Sequence, residues 1–252
     1  MTLTTEQFDR IKGYLPIQRG NVRTENLTFI RALLYVAENG CKWRALPAEY
    51  GNWNSVYKKA NRWAKAGVLE RVFTALQKER IIAVNIEVLA LDSTSIKVHP
   101  DAHGALKKRG KQAIGKSKGG WNTKLHVVSA DDQVVVEVHL SGGECHDAPE
   151  GRKSIEAVGK SYEGVPLLMD KAYEGDETRS LARANGHEPI VPPKSNRADP
   201  WEYDKETYKK RNVVERLFRR IKGFRRVCTR YEKTDVMFMA FVHFVFTVIW
   251  LN

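Results

Sequence analysis

The first eighty residues place apolar side chains at helical spacing. Phe8, Ile11 and Leu15 recur every three to four residues ahead of Pro16, with Thr5 in position to cap the run. A second run over 25–38 aligns Leu27, Ile30, Leu34 and Tyr35 and stops at Asn39-Gly40. After the turn-rich stretch CKWRALPAEYGN, a third helix is predicted over 53–64. Its apolar side holds Trp53, Val56, Tyr57, Ala60 and Trp63, and its other side Lys58, Lys59, Arg62 and Lys65. A fourth follows Gly67, over 68–77. Helix, turn and helix with a basic outer face fits a DNA-binding head, and fits a plain bundle with lysines outside equally well.

Near Ile86 the period shortens to that of strands. An apolar run over 86–91 ends at Asp92, and two more strands, 124–130 and 134–140, flank the turn pair Asp131-Asp132. Asp147 and Pro149 mark a helix start, with the helix reaching about Val158. A short strand over 165–169 ends at Asp170, then come a helix over 177–184, a strand over 188–191 and a long helix over 204–222. Three strands followed by alternating helices and strands resemble a ribonuclease H-like core, a mixed five-stranded sheet flanked by helices. The expected organisation is therefore α+β or α/β: a helical domain over 1–80 and a second domain over 85–252. The apolar run at 236–251 is shorter than the roughly 20 residues a bilayer-spanning helix needs, so it reads as a buried helix with His243 in the core.

Charge narrows the partner. The net charge of +12 is concentrated in two places. Residues 104–124 hold seven Lys/Arg and no acid, and 201–233 hold twelve Lys/Arg against five acids. Clustered positive charge suits a polyanion, nucleic acid first, although a lysine-rich surface selected for solubility gives the same totals. Three scattered cysteines are too few for a disulfide scaffold or a thiolate metal knuckle, which fits a reducing cytosol. The amino terminus lacks the charged start, apolar stretch and cleavage site of a secretory signal.

Candidate chemistry lies in three carboxylates. Asp92 and Asp170 each close an apolar strand, at the strand ends where α/β sheets gather ligand-binding groups. On the long helix, 100° per residue places Tyr208, Arg211, Glu215, Arg219 and Lys222 along one stripe, opposite Val213, Val214, Leu217, Phe218 and Ile221. Arg211 and Glu215 also have the spacing of a simple surface ion pair. Three converging carboxylates repel unless cations neutralise them, and hard oxygen donors select Mg²⁺ or Mn²⁺. Two such ions suit phosphodiester chemistry, with arginines and lysines holding the phosphates.

At these residues the chain resembles bacterial insertion-sequence transposases of the DDE type, in the fifth insertion-sequence family of the family-four-like group. Tyr208, Arg211, Glu215 and Lys222 match the Y-(2)-R-(3)-E-(6)-K signature at every spacing. Leu91-Asp92-Ser93-Thr94 resembles the first-aspartate motif, and Met169 to Gly175 the second, with Ala172 where glycine is usual. The resemblance covers nearly the whole chain. It implies Asp92, Asp170 and Glu215 as the catalytic, metal-binding triad for two Mg²⁺ ions, with Mn²⁺ as a substitute. It implies Tyr208, Arg211 and Lys222 as phosphate contacts, with Arg219 on the same stripe. Lys58, Arg62 and Lys65 are the candidate contacts of the helical head. The implied activity is binding of terminal inverted repeats, strand cleavage and strand transfer into target DNA, by a homodimer or larger assembly in the bacterial cytoplasm at the nucleoid, with no membrane involvement. A divalent-metal nuclease without joining activity and a domesticated DNA-binding regulator are the alternatives.

Overall fold

The computed structural model describes residues 3–20, 24–83, 85–102, 104 and 110–252. The first basic segment is thus described in part: Lys107, Lys108 and Arg109 lie outside the described residues.

The amino-terminal helices form where the apolar period placed them, with adjusted ends. Helix α1 (Thr5–Lys12) is capped by Thr4 rather than Thr5. The Thr4 hydroxyl accepts from the Gln7 amide at 3.1 Å and the Gln7 side chain accepts from the Thr4 amide at 2.9 Å, a reciprocal pair that needs glutamine three residues on. Helix α2 (Asn26–Asn39) ends at Gly40, whose φ of 61° is left-handed. Helix α3 (Trp53–Lys65) starts under an Asn52 cap, and α4 (Val68–Ala83) runs further than its periodicity suggested.

The packing divides the chain into two compact units that do not follow chain order. One contains residues 1–79, 97–112 and 220–252; the other contains 80–96 and 113–219. In the first unit, the helical termini of the chain share a core. The carboxyl-terminal helix, Asp235–Leu251, is buried on nearly every side. Trp43 meets Phe241 with ring centroids 6.0 Å apart, and Phe73 meets Phe246 at 5.7 Å. Part of the second basic cluster serves this core instead of a surface: Arg226 pairs with buried Glu232 at 2.7 Å and Arg230 with Asp235 at 2.7 Å. Among the described residues no helix is long and apolar enough to cross a membrane.

The second unit holds the ribonuclease H-like sheet. Strand β1 (Leu89–Val98) lies between β3 (Gly120–Ser129) and β5 (Leu167–Met169). Beyond β3 lies β2 (Gly115–Ser117), while β4 (Val135–Gly142) pairs antiparallel with β3 and β6 (Pro189–Ile190) pairs parallel with β5. The last residues of β1 belong to the first unit, where they pair with β7 (Thr229–Arg230). Among the described residues the ladder thus counts seven strands instead of five. The two additional strands, β2 and β7, are three and two residues long, too short to leave a period in the sequence. After β4 the chain forms α5 (Asp147–Val158), α6 (Asp176–Ala184) and the consecutive α7 (Lys205–Lys209) and α8 (Asn212–Lys222). The single helix expected over 204–222 is therefore broken at Lys210-Arg211, although Val214, Leu217, Phe218 and Ile221 still form its buried side.

Candidate active site

Two carboxylates are placed by strand register. Strands β1 and β5 run parallel with Leu91 opposite Met169, so the residues that follow, Asp92 and Asp170, stand at matching positions on neighbouring strands. Asp170 caps the short turn after β5 by accepting from the Lys171 amide at 2.5 Å. Asp92 does not end its strand. Beyond it Ser95 and Lys97 face out while Ile96 and Val98 face in, and this alternation carries β1 through the polar run Ser93-Thr94-Ser95.

The third carboxylate arrives from α8, and Arg211 brings it in. The Arg211 guanidinium donates to Asp92 at 2.8 Å and to Glu215 at 2.5 Å, so one cation bridges carboxylates from two elements. Arg211 is mostly buried, which disfavours its charge, but Asp92, Tyr208, Glu215 and Asp170 outweigh that cost and raise its pKa. Burial pushes the Asp92 pKa up, and neighbouring Asp170 adds to the rise. The Ser93 amide, at 2.7 Å, and Arg211 offset only part of it. Asp92 is a carboxylate short of positive charge. Glu215 is half exposed, and Arg219 and Lys222 are exposed further along α8. Tyr208 is partly buried, which raises its pKa, and stands beside Tyr203 and Arg211.

A second tier of residues, none of them a candidate site residue in the sequence, supports Asp92 through Ser93. Asp147 does not cap α5; His146 occupies that position without a side-chain bond. The Asp147 carboxylate instead accepts from the Ser93 hydroxyl at 2.8 Å and from Lys124 at 2.9 Å. These bonds outweigh its desolvation and hold its pKa below the usual range. Lys124 also donates to the Cys145 carbonyl at 2.8 Å, fastening β3 to the start of α5. The Tyr173 ring is fully buried next to Ser93, and burial raises its pKa further than the three nearby aspartates do. In the sequence these residues carry other signals: Ser93 and Tyr173 lie within the two aspartate motifs, Asp147 at a helix start and Lys124 at the end of the first basic segment.

The candidate contacts of the helical head lie on α3. Lys58, Arg62 and Lys65 are exposed there. Lys58 and Arg62 border a hollow that also includes Gln18, Arg19 and Ser55. Lys59 between them is committed elsewhere: it donates to Asn26 at 3.0 Å and lies 4.5 Å over the Phe29 ring, and desolvation lowers its pKa to about 8.

A family model described as a transposase DDE domain matches residues 85–251. The chain belongs to the DDE transposase family. A second model, described as "Putative transposase of IS4/5 family", matches residues 3–73 of this transposase. Over 132 residues the chain is 29% identical to a protein of Brucella ovis named "Putative transposase for insertion sequence element IS6501", covering 52% of this chain and 98% of that one. Over 123 residues it is 36% identical to the uncharacterized protein y4sN of Sinorhizobium fredii, covering 47% of this chain and 91% of that one. Among solved structures, the piggyBac transposase synaptic complex with hairpin DNA aligns with a TM-score of 0.49 at 10% identity, over 99% of this chain and 72% of that one. The Mos1 transposase paired-end complex with left transposon end aligns with a TM-score of 0.30 at 11% identity, over 89% of this chain and 83% of that one. As a DDE transposase the chain is an enzyme of the polynucleotidyl-transferase type.

Proposed function

We propose that this transposase binds the terminal inverted repeats of an insertion sequence, cuts the DNA there and joins the freed 3′-hydroxyl to target DNA. In this reading Asp92, Asp170 and Glu215 are the catalytic carboxylates and hold two divalent cations, Mg²⁺ or Mn²⁺. The supporting observation is the Arg211 bridge, with Asp170 at the matching position beside it. A guanidinium between Asp92 and Glu215 marks where positive charge is needed, and the donors around it are hard oxygens. Bound there, the cations would supply activation of the attacking oxygen and stabilisation of the leaving one.

The protein's own residues divide the remaining work. Arg211 offsets part of the negative charge of Asp92 and Glu215 before DNA arrives and is free to meet a phosphate when released from them. Lys222 and Arg219, exposed on α8, hold the phosphates of the element end together with Tyr208. The head, residues 1–80, reads the end sequence through Lys58, Arg62 and Lys65, while residues 85–252 carry the chemistry. Pairing two ends requires at least two copies of the chain on DNA, in the cytoplasm.

A strand-transfer assay with labelled end-sequence oligonucleotides and Mg²⁺ tests this. Wild type should give cut and joined products, and Asp92→Asn, Asp170→Asn and Glu215→Gln should each reduce both to background while still shifting the DNA. Full cleavage by Asp170→Asn or Glu215→Gln would remove the proposed triad. Cut but unjoined product would identify a nuclease, and binding alone a regulator.

A further inference from the structure

A second group of ligand-type side chains sits away from the three acids. His126 on β3 stands opposite His139 on β4, and the two imidazoles stack with centroids 4.7 Å apart at 13°. Glu150, in the first turn of α5, approaches from the third side, with its carboxylate 3.3 Å from His139 Nε2. One donor atom from each residue lies within 4.8 Å of the others, a grouping that among the described residues occurs here. His126 is fully buried, Glu150 is 7% exposed and His139 is partly buried.

The outer hydrogen bonds of this group have the arrangement a metal site requires. His126 uses Nε2 on the Ser141 hydroxyl at 2.8 Å, and its buried Nδ1 has no hydrogen-bond partner. His139 uses Nδ1 on the Glu137 carboxylate at 3.1 Å, and its buried Nε2, turned to Glu150, likewise makes no hydrogen bond. The far oxygen of Glu150 is held by Lys153 at 2.8 Å. Each imidazole therefore has one nitrogen fixed by an outer partner and the other left over, as in histidines that ligate metals. Buried polar atoms that make no hydrogen bond are costly, and three of them (His126 Nδ1, His139 Nε2 and Glu137 Oε2) occur together here.

We propose that His126, His139 and Glu150 bind one transition-metal cation, Zn²⁺ in the cell, at a structural site separate from the Asp92–Asp170–Glu215 carboxylates. Two imidazoles and one carboxylate suit Zn²⁺ and disfavour Mg²⁺, which prefers oxygen alone. Tetrahedral ligands at Zn–N distances of about 2.0–2.1 Å stand roughly 3.3 Å apart. The His139–Glu150 pair already has that separation, so closing the site needs His126 to approach and to turn out of its stack on His139 until its free nitrogen points at the ion. The ion would tie the β3–β4 hairpin to α5. The first residue of that helix, Asp147, holds Ser93 and Lys124 behind Asp92.

The test is metal uptake by the full chain carrying Asp92→Asn and Glu215→Gln, which weakens the other candidate site. After chelator treatment and dialysis, that protein should take up one equivalent of Zn²⁺ at micromolar concentration, retained in excess Mg²⁺. Loaded with Co²⁺, it should show the intense visible absorption of a four- or five-coordinate nitrogen-ligated ion. Adding His139→Gln or Glu150→Gln should abolish both signals. His139 is the safer of the two to change because it is partly exposed, and thermal melts without metal establish that each variant is folded. No stoichiometric uptake, or uptake that survives both substitutions in folded protein, overturns the proposal. The outcome is independent of strand-transfer activity, so it stands or falls separately from the assigned triad.

Discussion

Gly151 shows how one absent side chain sets the surroundings of Asp92. It lies in α5 against the Tyr173 ring: a Cβ built on it would come within 2.6 Å of Tyr173 Cδ1, closer still to Cε1, and 3.2 Å from Leu91 Cδ2. Two effects of Gly151→Ala oppose each other. Alanine gains about 1 kcal/mol of helix propensity. Overpacking a filled core costs about 1–3 kcal/mol, and the Tyr173 ring, buried on the far side, has little room to yield. The clash should win. Gly151→Ala should melt lower by roughly 1 kcal/mol equivalent, and cleavage should fall because displaced Tyr173 presses on Ser93, whose amide holds Asp92. A higher melting temperature with full activity would show that the ring moves freely.

Among the elements, the carboxyl-terminal helix carries the clearest pH signature. His243 is buried in it against Phe73, with centroids 5.1 Å apart, and desolvation alone lowers its pKa from 6.5 to about 4. The unfolded chain therefore binds a proton that the folded chain refuses between those values. Stability from this group is complete above pH 6.5 and is lost as pH falls towards 4. Between pH 7 and 5 the loss is about 2 kcal/mol. His243→Leu should shrink the drop in melting temperature across that range; an unchanged drop would assign the acid sensitivity elsewhere. The burial of this helix was legible from its unbroken apolar run. Other features were legible only in part, each for a physical reason. The end of β1 was hidden because Ser93, Thr94 and Ser95 interrupt the apolar run while tertiary pairing continues the strand. The break at Lys210-Arg211 left the apolar side of α8 intact, so periodicity could not register it. The pairing of His126 with His139 was out of reach for a subtler reason. A two-residue turn at 131–132 would put His126 opposite Glu137. The actual connection, closed by Ala130 donating to the Val134 carbonyl, is one residue longer, and a register shift at Val128/Ser129 adds another. The two steps together move the partner of His126 two residues along β4, from Glu137 to His139 on the same face, so hairpin register decides which side chain His126 meets.

At the scale of the whole molecule, the amino-terminal helices do not supply their own core. The unit that contains them also takes in residues 97–112 and 220–252. Phe73 packs on His243 and Phe246, Trp43 on Phe241, Arg10 lies 4.1 Å over the Trp250 ring, and Gln7 donates to the Leu251 carbonyl at 3.0 Å. Phe238, Phe241, Phe244 and Phe246 are all buried, and each buried aromatic of this kind is worth about 1.5–3 kcal/mol. Removing the helix that carries them takes away on the order of 10 kcal/mol, which is the entire stability of a typical domain. A fragment of residues 1–80, cut where the apolar period changes, should therefore bind a hydrophobic dye and melt without a cooperative transition. Joining 1–79 to 220–252 through a flexible linker should restore a sigmoidal melt. A cooperative melt of 1–80 at the full-length temperature would show instead that α1 to α4 suffice. The distinction matters for the proposed reading of element ends by Lys58, Arg62 and Lys65. If the helices lose their shape without the carboxyl-terminal segment, DNA binding by those residues must be measured on the full chain, where α3 has the partners that hold it.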